Sequence, residues 1–215
     1  MKYFRSVVTG NVSLRENVRL ITMKKEFAFI PGQVVALSLD FNPEPRLYSI
    51  ASGTGDKDLS VLYDIHQEGA FSPRLGGLLP GEPIYVSEPI GTFVCDEKPA
   101  VWIATGTGVA PFLSMFRSGN HLNKILIHGG STLDSFYFQK DLTEKMQDRY
   151  IRCCSWETRE GIFHGRVTAY IRDRFIPGTA GMYYLCGSAE MIVDVRDILI
   201  SRGIPFENIM AEIYF

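Results

Sequence analysis

The sequence predicts two domains: an antiparallel β-barrel over residues 1–95, followed by an α/β domain with a parallel sheet over residues 96–215. Up to about Phe93, short runs of alternating apolar residues are separated by Gly, Pro and Asn, which is typical of an antiparallel barrel or sandwich. From Pro99 onward, apolar runs alternate with segments of helical periodicity, which favours a parallel sheet covered by helices. The polar stretch CDEKP, near residue 95, marks the boundary.

The individual elements follow from these two patterns. In the first half the β-like runs are NVRLITMKK, GQVVALSLD, RLYSIAS, LSVLYDIH and EPIYVSEPI. In the second half AVWIAT, KILIHG, YIRCCS and MYYLCG are predicted strands, followed in turn by the predicted helices APFLSMFRS, SFYFQKDLTEKM, GRVTAYIRDR and AEMIVDVRDILISRG, with NIMAEIYF as a final strand. The last helix is the clearest, because Ser188 is a good N-cap, Ile192, Val195 and Leu199 have helical spacing, and Gly203 lies beyond its end.

Composition excludes several classes of protein. The chain has 215 residues, 46% of them hydrophobic and 21% charged, which indicates a folded globular protein. A net charge of -2 provides no general attraction to nucleic acid. The N-terminus lacks a signal-peptide pattern and no apolar run is long enough for a membrane span, so we expect a cytoplasmic protein. Four cysteines without CxxC spacing and four scattered histidines predict reduced thiols and no metal site.

Two short motifs raise the possibility of cofactor binding. In PEPRLYSIASG, strand alternation places Arg46 and Tyr48 on one face and Ser49 on the other, although an ordinary surface strand would have the same pattern. TGTGVAP, from Thr105 to Pro111, follows a buried strand and opens a helix, as a pyrophosphate-binding loop does. Packing alone can also require such a loop, and Pro111 departs from the full GxGxxG pattern.

Further distinctive residues fall where the predicted parallel strands end. Gly129 to Ser131 follow the second of these strands, Ser155 and Trp156 the third, and Cys186 and Gly187 the fourth. Ligands of open parallel sheets bind outside the carboxyl ends of the strands. These positions are therefore candidates for ligand contacts, with an ordinary buried thiol as the alternative for Cys186.

Six motifs follow one another over nearly the whole chain: RLYSIAS, EGAFSPRLGGLLPGE, EPIGTF, ATGTGVAPFLSM, YYLCGSAEMIVDV and the terminal AEIYF. Taken in this order, they resemble the ferredoxin–NAD(P)+ reductase family, in its bacterial type. The resemblance implies a flavin-binding barrel and an NAD(P)-binding α/β domain. It further implies hydride transfer between nicotinamide and FAD, with single electrons exchanged with ferredoxin, flavodoxin or a similar small carrier.

The resemblance also implies roles for individual residues. Arg46 would pair with the flavin pyrophosphate, Tyr48 would lie against the isoalloxazine, and Ser49 would bond near flavin N5. Ser49, Cys186 and Glu212 would be the catalytic polar residues at the reacting edge. The implied flavin-binding residues are Arg46, Leu47, Tyr48, Ser49, Gly69, Ala70, Phe71, Ser72, Tyr214 and Phe215, and the implied NAD(P)-binding residues are Thr105, Gly106, Thr107, Gly108, Ser131, Trp156, Arg159, Arg166, Cys186 and Gly187. Because Phe215 would reach the adenine half of FAD, FAD is favoured over FMN.

The chain departs from the family where NADPH is recognised. Relatives that prefer NADPH usually carry arginines at the positions of Ser131 and Trp156. Arg166 keeps one basic position, and Arg159 is close enough in sequence to substitute for another. The residues therefore favour NADH, or the use of both nucleotides.

Two other functions fit the same motifs. The chain could be the reductase subunit of a multi-component oxygenase or other redox complex, or a non-catalytic flavin- or NAD(P)-binding redox sensor. As a self-sufficient reductase it would be a monomer or weak dimer. A group of basic residues could then dock an acidic carrier: Lys2, Arg5, Arg15, Arg19, Lys24, Lys25 and Arg74.

Overall fold

The computed structural model describes residues 1–40, 45–178 and 181–214. Within it the chain forms two compact units. The first contains residues 1–95 together with residues 110–119, and the second contains residues 96–109 and 120–215.

The first unit is built on a six-stranded antiparallel sheet in the order β4-β3-β6-β1-β2-β5. The two ends of this sheet meet, because Ile50 pairs with Val61 and the Ala51 N–H donates to the Ser60 carbonyl at 2.8 Å. The sheet is therefore a closed barrel rather than a sandwich. Its strands are β1 (Tyr3–Arg15), β2 (Val18–Lys24), β3 (Val34–Ser38), β4 (Arg46–Ser49), β5 (Asp58–Asp64) and β6 (Pro83–Ser87).

The strand β1 was absent from the sequence-based prediction, although it is the longest strand of the barrel. Its pairing with β2 shifts register between Val8 and Gly10 and again between Ser13 and Arg15. Each shift interrupts the two-residue period on which recognition of a strand depends. The predicted runs that do keep this period contain β2 to β6.

Apolar side chains from all sides of the barrel form one core. Ile21, Val35 and Ile84, on three different strands, are completely buried. A short helix, α1 (Ser72–Gly77), contributes the completely buried Leu75 to the same core.

A second helix, α2 (Ala110–Arg117), also belongs to the barrel unit. The Ser114 hydroxyl donates to the Ser52 carbonyl at 2.7 Å, and Arg117 Nη1 donates to the Ala51 carbonyl at 3.0 Å. A Cβ atom on Gly53 would lie only 2.8 Å from the Cβ of Arg117, so only glycine allows this approach. The helix thus packs tightly on the segment that follows β4.

The second unit is a six-stranded parallel sheet in the order β10-β9-β8-β7-β11-β12. The strand β7, which comes first in the chain among the strands of this sheet, lies between β8 and β11, so the connections change direction on either side of it. Such a switch point creates a ligand-binding crevice at the carboxyl ends of the strands. The strands are β7 (Ala100–Thr105), β8 (Lys124–Gly130), β9 (Tyr150–Cys154), β10 (Phe163–His164), β11 (Met182–Ser188) and β12 (Ile209–Tyr214).

Helices α3 (Gln139–Met146), α4 (Val167–Asp173) and α5 (Ala189–Ser201) accompany this sheet. The predicted cap of the last helix is confirmed, because the Ser188 hydroxyl accepts from the Met191 N–H at 3.4 Å. The predicted start of α3 at Ser135 is wrong: Phe138 has φ 59°, a left-handed conformation that does not continue into a helix, so α3 begins only at Gln139.

No helix among the described ranges has both the length and the apolar character needed to cross a membrane.

Candidate functional site

The strand β4 carries the first group of predicted site residues. Arg46 and Leu47 are exposed, Tyr48 is half-buried, and Ser49 is almost completely buried. The Tyr48 ring lies 6.2 Å from the ring of Phe71, nearly parallel to it, and 6.0 Å from Tyr63, edge-on. The predicted flavin-contacting tyrosine is thus one of three packed aromatic rings, on a strand that pairs with β3 along its full length.

The hydroxyls of this aromatic group remain protonated at neutral pH. Burial raises the pKa of Tyr48 to about 12, and the nearby Tyr63 adds to the rise while Arg46 opposes it. Burial likewise raises the pKa of Tyr63 to about 12, with the charge of Arg19 opposing the rise. Neither ring is suited to release a proton during catalysis near pH 7.

The second predicted flavin segment, residues 69–72, lies immediately before and at the start of α1. Gly69 and Ala70 are exposed, whereas Ser72 is buried and its hydroxyl accepts from the His66 N–H at 2.9 Å. Phe71 connects this segment to β4, since its ring packs on Tyr48. The structure therefore brings two separate predicted flavin segments together.

In the parallel sheet, the loop after β7 packs directly on the end of β11. A Cβ atom on Gly108 would lie 2.4 Å from the carbonyl oxygen of Cys186, and one on Gly187 would lie 2.3 Å from Thr105 Oγ1. By contrast, Gly106 has φ +55° and nothing within 4 Å of the position of a Cβ atom. The loop is thus fixed on one side and leaves space at Gly106 for a close-fitting anion.

The predicted catalytic residues Cys186 and Glu212 lie side by side. They are in register on the parallel strands β11 and β12, which places their side chains on the same face of the sheet, with strands about 4.8 Å apart. Cys186 is completely buried and is also in register with Ala104 on β7. Cys186 therefore lies on the strand next to β7, and Glu212 lies on the strand beyond it.

The loops after β8 and β9 form a second group at the carboxyl edge of this sheet. The Trp156 N–H donates to the Ser131 carbonyl at 2.9 Å, and Glu157 Oε2 accepts from the Leu133 N–H at 2.5 Å. The side chain of Trp156 is 75% exposed, which is unusual for a residue of this size. These contacts bring Ser131 and Trp156 together and place a carboxylate beside them.

The two predicted basic residues near this group have different surroundings. Arg166 is the N-cap residue of α4, and its Nη1 lies 3.4 Å from Glu190 Oε1 in an exposed ion pair. Arg159 is exposed in the loop that follows Glu157, and its carbonyl accepts from the Ile162 N–H at 3.1 Å. Of these two arginines, Arg166 thus has a carboxylate partner among the described residues.

One buried residue of this region was not predicted. His128 on β8 is completely buried, with Nδ1 3.1 Å from the Tyr150 hydroxyl and its ring 5.3 Å from that of Phe136. Burial lowers the pKa of His128 to about 4, with the Gly106 backbone opposing the shift and Arg152 adding to it. A single histidine in an apolar run gives no sequence signal for these contacts.

The predicted aromatic tail lies at the end of β12. Tyr214 is the last residue of that strand, in register with Ser188, and Phe215 lies outside the described residues.

Among the described residues, no group of three or more His, Cys, Asp or Glu side chains could hold a metal ion. Several of the predicted basic docking residues have internal partners. Arg19 donates to Asn11, Lys25 donates to the carbonyls of Thr54 and Asp56, and Arg74 pairs with Asp40 at 2.9 Å. Lys24 lies 3.8 Å from Glu26.

Comparison with known proteins identifies first the class of the parallel-sheet domain and then the family of the whole chain. A family model described as "Oxidoreductase NAD-binding domain" matches residues 102–197, in the parallel-sheet unit. The chain belongs to the flavodoxin/ferredoxin–NADP reductase family: it is 31% identical to the flavodoxin/ferredoxin–NADP reductase of Escherichia coli, over 88% of each chain.

Two further proteins are similar to this chain, one in sequence and one in fold. The toluate 1,2-dioxygenase electron transfer component of Pseudomonas putida is 27% identical over 97% of this chain and 67% of its own. Among solved structures, a ferredoxin NADP+ reductase from Neisseria gonorrhoeae with bound FAD and NADP aligns over 100% of both chains with a TM-score of 0.91 and 18% identity. The predicted fold class, a barrel followed by a parallel α/β domain, is confirmed.

Proposed function

We propose that this protein is a flavin-dependent NAD(P)H oxidoreductase that exchanges electrons with a ferredoxin- or flavodoxin-like carrier. The observation that carries the proposal is that each unit packs two predicted ligand-binding segments against each other. In the barrel these are β4 and residues 69–72, and in the parallel sheet they are the loop after β7 and the end of β11. When bound, FAD supplies the conversion of a two-electron hydride into single electrons.

The residues of the barrel fit a flavin. Arg46 offers an exposed guanidinium for a pyrophosphate. Ser72 adds a buried hydroxyl in the second flavin segment, residues 69–72. Tyr48 offers an aromatic face that Phe71 and Tyr63 hold in place. Ser49 follows Tyr48 in the chain and is buried. Its hydroxyl would be shielded from water and would form a hydrogen bond with a nitrogen of the flavin ring.

The residues of the parallel sheet fit a dinucleotide. Gly106 offers open backbone, and Thr105 and Thr107 offer hydroxyls beside it, as a pyrophosphate requires. Cys186 and Glu212 would line the nicotinamide, where they would orient the ring and manage protons rather than form covalent bonds. Trp156 would cover the adenosine half, because its exposed ring lies at the carboxyl edge of the sheet.

NADH is the nucleotide that these residues favour, with dual use as the alternative. Ser131 and Trp156 supply no cation for a 2′-phosphate, and Arg166 already pairs with Glu190. Glu157, fixed at the Leu133 N–H, adds a negative charge beside the same loops. A carboxylate in this part of a dinucleotide site accepts from a ribose hydroxyl and repels a phosphate.

The test is anaerobic stopped-flow mixing of the flavin-loaded protein with NADH and, separately, with NADPH. Bleaching of the flavin band near ~450 nm within seconds is expected for NADH, and slower bleaching for NADPH. A flavin-loaded protein that neither nucleotide reduces would contradict the reductase function and favour a redox sensor.

A second candidate is a reductase subunit of a multi-component oxygenase. The similarity to an electron transfer component over 97% of this chain favours it. A stable complex with a separate iron–sulfur carrier, seen by size-exclusion chromatography from the native source, would support the second candidate over a self-sufficient reductase.

A further inference from the structure

Asn11, on β1, lies at the centre of a hydrogen-bond network inside the barrel unit. Its amide nitrogen Nδ2 lies 2.9 Å from the Leu75 carbonyl, 3.1 Å from that of Leu78 and 3.3 Å from that of Gly76. These carbonyls belong to the last turn of α1 and the residue that follows it. A helix end leaves such carbonyls without intrahelical partners, so Asn11 caps α1 from a distant strand.

The other end of the amide is fixed as well. Asn11 Oδ1 accepts from Arg19 Nε at 3.0 Å and from the Tyr63 hydroxyl at 3.2 Å. Arg19 Nη2 also donates to the Asn11 carbonyl, at 2.9 Å. The orientation of the amide is therefore determined, with the oxygen towards two donors and the nitrogen towards carbonyls.

Both arms of this network lead to residues of the proposed flavin site. The arm through α1 ends at Ser72 and at Phe71, whose ring stacks on Tyr48. The arm through Tyr63 ends at Tyr48 directly, because the two rings pack edge-on at 6.0 Å. Asn11 is thus linked to both groups of predicted flavin residues, through α1 and through Tyr63.

The short helix needs such an anchor. With six residues, α1 is too short to be stable by itself, so contacts with the barrel determine its position. Leu75 supplies apolar anchorage, and Asn11 supplies the directional bonds. Arg19, predicted from the sequence as part of a docking surface, instead orients Asn11.

We infer that Asn11, held by Arg19 and Tyr63, is a positioning residue for flavin binding. It fixes α1 and the Tyr48 ring in the arrangement that accepts the cofactor. This inference rests on the proposed function, because it assigns a purpose to the flavin segments proposed there.

The test measures FAD affinity in three variants of the full chain. Asn11→Asp keeps the shape and the acceptor but loses the donor to α1, Asn11→Ala loses both, and Tyr63→Phe loses only the hydroxyl. The matched control is Ser6→Ala, on the same strand, because it removes a buried hydrogen bond to the Lys24 carbonyl outside the network. Kd for FAD is measured by titration of apoprotein at a temperature where every variant is folded.

The expected results separate positioning from general stability. Asn11→Ala and Asn11→Asp should raise Kd for FAD about tenfold or more and change the visible circular dichroism of the bound flavin. Tyr63→Phe should raise Kd about threefold. Ser6→Ala should lower the thermal midpoint but leave Kd within about twofold of wild type.

Three results would overturn the inference. If the Asn11 and Tyr63 variants bind FAD as tightly as wild type, Asn11 stabilises only the barrel. If Asn11→Ala does not fold, Tyr63→Phe alone decides, and an unchanged Kd overturns the inference. Wild-type protein that binds no FAD would instead overturn the proposed function and this inference together.

Discussion

At the scale of single residues, glycine positions define the nucleotide loop more sharply than any polar side chain. Gly108 and Gly187 lie so close to Cys186 and Thr105 that neither has room for a Cβ atom, whereas Gly106 faces open space. These three glycines therefore have two different roles. Two of the glycines allow the β7 loop to pack on β11, and the third leaves backbone accessible.

Replacement of Gly108 tests the packing role. Gly108→Ala should destabilise the protein by about 1–3 kcal/mol, because a Cβ atom would lie 2.4 Å from a backbone oxygen that cannot move aside easily. It should also raise KM for the nucleotide. Thermal unfolding and steady-state kinetics with an artificial acceptor measure the two effects.

The matched control is Gly181→Ala, in the same unit, where the nearest atom to a new Cβ would be the Pro99 carbonyl oxygen at 3.7 Å. That distance is ordinary contact, so stability should change little. Equal effects of the two substitutions would contradict the close-packing role of Gly108.

Ser131 offers a test of nucleotide choice at the same scale. Ser131→Arg should raise kcat/KM for NADPH about tenfold, because a guanidinium at this loop would add a charge-assisted bond to a 2′-phosphate. The value for NADH should change much less. Ser131→Met, of similar bulk without charge, is the control, and an unchanged NADPH value in the arginine variant would contradict the placement of Ser131.

At the scale of elements, the regular strands and helices could be predicted from the sequence, and the irregular ones could not. The runs containing β2 to β6 keep a two-residue period, and those containing β7 to β9, β11 and β12 are apolar runs. By contrast, β1 is interrupted by register shifts and β10 has only two residues. The start of α3 was placed too early because Phe138 looks like a helical residue by pattern. Local pattern does not reveal such backbone turns.

The same limit applies to the candidate site. The sequence predicted ligand contacts at β4 and at the loop after β7, because each of these motifs is a continuous stretch of the chain. The bonds of Asn11 to α1 span 64 to 67 residues, and those of His128 depend on the register of neighbouring strands. Contacts of this kind follow from tertiary packing and leave no trace in local spacing.

His128, on β8, should make the stability of the protein depend on pH. The pKa of this residue is about 4 in the folded protein against 6.5 in the unfolded chain, so the unfolded state binds more protons between these values. The free energy of unfolding should therefore fall as pH decreases from about 6.5 to 4. Above pH 6.5 this contribution is fully present.

Denaturant unfolding of wild type and His128→Gln over pH 4 to 7 measures this effect. The variant should be less stable at pH 7 but should lose less stability on acidification, so that the two curves converge. His164→Gln, at an exposed histidine of the same sheet unit, is the control for loss of an imidazole. Parallel curves for His128→Gln would contradict the assignment.

At the scale of the whole molecule, charge restricts how a carrier can be recognised. The net charge of -2 gives no general attraction to an acidic protein, so recognition has to be local. Arg19, Lys25 and Arg74 have bonding partners within the barrel unit, which leaves them less suited to docking than the sequence suggested. Exposed Lys2 and Arg5, near the start of β1, are the better candidates from the predicted group.

The double substitution Lys2→Glu with Arg5→Glu should raise KM for an acidic ferredoxin or flavodoxin about tenfold at low ionic strength. Electrostatic steering is lost when the local charge is reversed, and added salt should shrink the difference between variant and wild type because it screens both. Reduction of ferricyanide by NADH should be unchanged, because neither residue belongs to the proposed nucleotide or flavin contacts. Lys98→Glu, an exposed charge reversal in the parallel-sheet unit, is the matched control. A carrier KM that stays at the wild-type value would mean that the carrier docks elsewhere. A rise equalled by Lys98→Glu would mean that net charge, rather than this site, governs its approach.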